Sequence, residues 1–148
     1  MNTDRNRPAR ILLVEDNEAD VMLAEIAFKE CDQPPELEIA PDGEAALRRL
    51  RGDSDQGAVA TPDLVLLDLN MPGLDGKGVL KAIKGDINLR LLPVVMLTSS
   101  RDPRDIRECY ELGANAYLSK PADFSEFGAI ARAVEAFWLQ RANLPGAD

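Results

Sequence analysis

Five short apolar runs punctuate the chain: RILLV at 10–14, LEIA at 37–40, LVLL at 64–67, PVVML at 93–97 and AYL at 116–118. The first, third and fourth are apolar throughout, as parallel strands buried on both faces should be. Between the runs, apolar positions recur at helical spacing. Residues 18–30 carry Val21, Met22, Ala24, Ile26 and Phe28 before the break at DQPP. A second helix follows Asp42, a suitable cap, with Ala46, Leu47 and Leu50 as its stripe, and a third carries Val79, Leu80 and Ile83. The fourth opens at RDPRDI, with Asp102 as cap and Pro103 at the first helical position, and ends at Gly113. In the fifth, Asp123 and Glu126 make a capping-box signature. Phe127, Ile130, Ala131, Val134, Phe137 and Trp138 then repeat to about Arg141.

Strand and helix alternate five times, which predicts an α/β fold: a doubly wound parallel sheet of five strands with helices on both faces. At 148 residues the chain suits one domain. That domain is expected at 9–141, with a loose N-terminal tail at 1–8, a C-terminal tail at 142–148 and a surface loop at RGDSDQGAVATP.

Composition narrows the function. The net charge of −9 opposes broad contact with phosphate backbones or anionic membranes, so no nucleic acid and no membrane partner is expected. Arg48, Arg49 and Arg51 on one helix read as a solvated face. No stretch approaches the roughly 20 apolar residues of a span, and a cytoplasmic protein is expected. Cys31 and Cys109 lack a C-x-x-C partner and read as free, packed thiols. There is no histidine, so imidazole chemistry would have to come from a partner.

In parallel sheets the ligand site lies beyond the carboxyl ends of the strands. There the sequence puts Glu15 and Asp16 after LLV, Asp68 after LVLL, Thr98, Ser99 and Ser100 after VVML, and Lys120 after AYLS. Crowded carboxylates need a cation, and an all-oxygen donor set suits Mg²⁺, or Mn²⁺ in its place. Lys120 and Thr98 add donors for phosphoryl oxygens, completing a cradle for phosphoryl transfer onto a carboxylate.

These residues resemble those of the response-regulator receiver domain, the CheY-like phosphoacceptor of two-component signalling, over about residues 10–139. The resemblance rests on Glu15-Asp16, Asp68 in DLNMPGLDG, Thr98 in LTSS and Lys120-Pro121 in YLSKP. It implies a (βα)5 flavodoxin-like sandwich and a regulator that is not an enzyme, although it promotes its own phosphorylation and dephosphorylation. It further implies that Asp68 accepts phosphate from a sensor histidine kinase. Glu15, Asp16, Asp68 and the Asn70 carbonyl would hold Mg²⁺, and Thr98 and Lys120 would contact the phosphoryl group. Tyr117 would be the switch aromatic, acting with Thr98 on the face of the fourth helix, fifth strand and fifth helix. Lys120-Pro121 would be a cis peptide. ELGANAYLSKP and AFWLQRA look like the single-domain regulators of phytochrome-type kinases, which implies a stand-alone regulator and a homodimer with Tyr117, Phe137 and Trp138 at its interface. Neither the kinase nor a downstream target is named by the sequence.

Plainer roles exist for each residue alone. Glu15-Asp16 could cap a helix, Asp68 and Asn70 could shape a turn, and Thr98 could be a structural hydroxyl. Lys120 could be a solvated cation, Tyr117 a packing residue, and Phe137-Trp138 a core closure. Three rival functions are weaker. A D-x-D phosphatase needs a second acid where Asn70 stands. An unphosphorylated scaffold has no need of Asp16, Asp68 and Lys120 together. A dinucleotide fold needs a Gly-rich turn where VEDNEAD stands.

Overall fold

The computed structural model describes residues 7–52 and 60–145; most of the expected N-terminal tail and central loop, and the last three residues of the expected C-terminal tail, lie outside them. Five parallel strands, β1 (Arg10–Val14), β2 (Glu36–Ala40), β3 (Leu64–Leu67), β4 (Val94–Thr98) and β5 (Ala116–Ser119), form one sheet in the order β2-β1-β3-β4-β5. The three runs expected to be buried on both faces occupy its middle, β1 entering through the half-buried Arg10. β3 and β4 are buried at every position, while β2 alternates and β5 is half-buried, as edge strands are.

Alternate strand residues face two cores. Leu12, Val14, Val65, Leu67, Val94 and Met96 meet α2 (Gly43–Leu50), α3 (Gly76–Gly85) and α4 (Pro103–Glu111). Ile11, Leu13, Leu64, Leu66, Val95 and Leu97 meet α1 (Glu18–Lys29) and α5 (Phe124–Val134). The expected caps are in place: Asp42, Asp102 and Asp123 accept from Ala45, Arg104 and Ser125 amides. Both cysteines are buried and free.

Three expectations are corrected. Met22 and Ile26 are exposed, because α1 rests on the sheet through Ala24, Ala27 and Phe28. The last helix changes pitch: residues Glu135–Arg141 form a π-helix, closed by Ala142 N donating to Phe137 O at 2.8 Å. The wider turn takes Phe137 off the α-helical stripe and leaves it 57% exposed. No cis peptide occurs among the described residues, so Lys120-Pro121 is trans. Trans is the favoured isomer before proline as elsewhere, and Lys120 reaches its partners with it.

Candidate functional site

The ladder hydrogen bonds continue one residue past the strands. Glu15 N donates to Ala40 O at 3.0 Å, Asp68 N to Val14 O at 3.0 Å and Lys120 N to Thr98 O at 2.7 Å. The side chains after β1, β3 and β5 are therefore held on one rim by the sheet itself. Carboxylate oxygens of Glu15, Asp16 and Asp68 lie within 4.8 Å of one another. Glu15 and Asp68 are buried and Asp16 is exposed, giving a cluster with one open side.

The helix-cap reading of Glu15-Asp16 does not hold. Asn17 caps α1 by accepting from Asp20 N at 3.0 Å, which leaves both acids for the rim. Gly76 supports Asp68 from below, donating its amide to Leu69 O at 2.9 Å. A methyl there would overlap the Asp68 carbonyl oxygen and stand 2.7 Å from Leu69 Cα. The Asp68 carboxylate accepts from Leu69 N at 2.8 Å through Oδ1 and turns Oδ2 to Lys120.

Lys120 is the cation of the cluster. Its ammonium lies 2.5 Å from Glu15 Oε1, 2.8 Å from Asp20 Oδ2 and 3.5 Å from Asp68 Oδ2. Burial raises the Glu15 carboxyl to about 7, against the pull of Lys120 and with a push from Asp68. Burial acts to lower the Lys120 ammonium, but hydrogen bonds to Asp20 and Glu15 overcome it and raise it above the ordinary lysine value.

Thr98 is fully buried at the end of β4, and its hydroxyl oxygen accepts from Ser100 N at 3.3 Å. Asn70 is exposed just beyond Asp68. Tyr117 is half-buried against the α2–α4 core, and burial pushes its phenol above the ordinary range. Phe137 and Trp138 stack edge to face with centroids 5.1 Å apart, and Trp138 packs against the α1/α5 core. Tyr117 and Trp138 thus belong to opposite layers of the sandwich.

Sequence reasoning missed Asp20, whose signal was an acid in the first turn of α1, four residues after Asp16. It also missed the tie from Ser100 to Asp105 and Lys77, which only the packing of α3 on α4 reveals.

A rim of buried acids and one lysine at the carboxyl edge of such a sheet has a known setting. Residues 11–132 match the response regulator receiver domain. The chain belongs to the response-regulator receiver family. This receiver is 39% identical over 147 residues to response regulator Rcp1 of Synechocystis, covering 99% of this chain and 100% of Rcp1. The phosphorylated cyanobacterial phytochrome response regulator RcpA superposes with a TM-score of 0.89 at 40% identity, over 94% of this chain and 99% of that one. The Mn²⁺-bound form of Rcp1 gives 0.84 at 39% identity, over 93% and 99%. The receiver fold, the two-component signalling class and a donor set fit for a hard divalent cation are thus established. No helix among the described residues is long and apolar enough to cross a membrane.

Proposed function

We propose that the protein is a phosphoacceptor switch that takes a phosphoryl group onto Asp68 from the phosphohistidine of a sensor kinase, one serving a phytochrome-type photoreceptor. The observation that carries this reading is the meeting of Glu15, Asp16, Asp68 and Lys120 at one rim. The histidine-free sequence fits a donor imidazole on another protein, and the similarity to the phytochrome response regulator RcpA supports its phytochrome type.

A carboxylate oxygen of Asp68 attacks phosphorus, the O–P bond forms, and the N–P bond breaks with its electron pair returning to the donor imidazole. Glu15, Asp16 and Asp68, with the Asn70 carbonyl, would hold Mg²⁺ or Mn²⁺, which when bound offsets charge on the phosphoryl oxygens. Lys120 neutralises a further oxygen, and the Thr98 hydroxyl donates to another. Water attack on phosphorus later breaks the O–P bond, releases phosphate and restores the Asp68 carboxylate. Both steps are promoted by the protein's own residues.

Thr98 turning to the phosphoryl group vacates space for Tyr117 to swing inward, remodelling the α4-β5-α5 face. That face, with Phe137 and Trp138, then serves self-association as a homodimer in the cytoplasm. The test is to incubate the protein with Mg²⁺ and acetyl phosphate and follow intact mass. A gain of one phosphoryl group in the parent, absent in Asp68→Asn, is expected; the same gain in the variant would reject Asp68 as acceptor.

A further inference from the structure

Lys120 divides its ammonium among three carboxylates, those of Glu15, Asp20 and Asp68. Glu15 and Asp68 also belong to the cation cluster, and Asp20 lies outside it. A divalent cation drawn to Glu15 and Asp68 takes up the negative charge that Lys120 balances, and it repels the ammonium directly in a site largely closed to water. Asp20 is the partner whose charge the cation leaves to the lysine.

The local structure suits that task. Acids in a first turn commonly face solvent and the helix dipole. The Asp20 side chain is instead 26% exposed and reaches Lys120, 100 residues away. Asn17 fixes the Asp20 backbone through its capping bond, so the carboxylate projects from a rigid first turn.

We infer that Asp20 is a positioning residue, which keeps Lys120 in the site while a divalent cation binds and so holds the ammonium ready for a phosphoryl group on Asp68. This rests on the phosphoacceptor reading and deepens it. It assigns the lysine's retention to α1, outside the strand-end set.

The experiment follows the Lys120 ammonium by NMR on lysine-labelled protein, assigned by its loss in Lys120→Arg, during a Mg²⁺ titration. In the parent the ammonium protons stay protected from exchange throughout. In Asp20→Asn they are protected without Mg²⁺, where Glu15 holds them, and lost as Mg²⁺ binds; Asp20→Glu restores protection. Phosphorylation by acetyl phosphate at saturating Mg²⁺ should slow about tenfold in Asp20→Asn, as for other residues that orient a metal-site group, and recover in Asp20→Glu. A protected Lys120 in Mg²⁺-saturated Asp20→Asn, or phosphorylation of that variant at the parental rate, would overturn the inference. Phosphoryl gain by Asp68→Asn would overturn the proposed function instead, leaving the Mg²⁺ titration to decide the role of Asp20.

Discussion

The Tyr117 hydroxyl donates to the Ser100 carbonyl oxygen at 2.9 Å. Ser100 gives its own hydroxyl to Asp105 Oδ2 at 2.6 Å, and Asp105 Oδ1 stands 2.8 Å from Lys77 Nζ. Hydrogen bonds from Lys77 and Ser100 hold the Asp105 carboxyl below the ordinary range. The loop after Thr98 is thereby tied to α3, α4 and β5 at once, in the arrangement that keeps Tyr117 pointing along the loop. Tyr117→Phe keeps the ring and removes the donor, so it should cost about 1 kcal/mol in urea denaturation. A variant as stable as the parent would show that this bond contributes nothing net.

Gly76 is required by space rather than by backbone angle, since Asp68 and Leu69 occupy the volume where a side chain would begin. Gly76→Ala must push the Asp68 loop and α3 apart, an overpacking cost of about 2 kcal/mol. The same displacement moves the Asp68 carboxylate, so if Asp68 is the acceptor as proposed, phosphorylation by acetyl phosphate should fall further than stability. Unchanged urea midpoint and phosphorylation rate would refute the close approach.

The strands and the rim residues were legible because their signal is periodic and local. A wholly apolar run can sit only in mid-sheet, and the residue after it must emerge at the carboxyl edge. Glu15, Asp16 and Asp68 follow from that rule alone, whereas Lys120 follows the edge strand β5 and is placed by the parallel strand–helix alternation. Two things escaped it. The partnership of Asp20 with Lys120 depends on how α1 lies against the end of β5, which no local pattern encodes. The π turn at Glu135 breaks the assumed helical step, so Phe137 and Trp138 diverge although their spacing fits one stripe. Glu135 itself is buried and accepts from Gln33 N at 2.7 Å, a contact across 102 positions.

Asp16 is the open member of the acid cluster, exposed where Glu15 and Asp68 are buried. Asp16→Asn should therefore leave folding nearly untouched while removing one anionic ligand. Calorimetry should find Mg²⁺ binding weaker by at least about tenfold. An unaltered affinity would exclude Asp16 from the coordination shell.

Cys31 supplies a pH test. Burial, with the Glu135 carboxylate adding to it, raises the thiol from 9.0 to about 11. The folded chain then keeps a proton that the unfolded chain releases first. The contribution to stability is intact below pH 9 and is lost as pH climbs through about 11. Thermal melts across that window should show the parent losing more stability than Cys31→Ala, by roughly 2 kcal/mol. Parallel curves would mean the thiol does not titrate differently on folding.

Phe137 and Trp138 separate the two tasks that an aromatic pair can perform. Trp138 is half-buried against the α1/α5 core, so truncating it disturbs the fold as well as the surface. Phe137 stands 57% exposed with its ring edge to face on Trp138, and a large apolar group so displayed favours burial against a second surface. If the homodimer forms through the π-helical segment, Phe137→Glu introduces like charges across a two-fold interface and removes apolar contact. Sedimentation should show self-association weakened by at least about tenfold, since a ring of this size contributes roughly 2 kcal/mol on burial. Measured at concentrations where the parent is monomeric, its urea midpoint should stay near the parental value, because more than half of the residue is already exposed. A variant that associates as the parent does would place the interface elsewhere on the molecule.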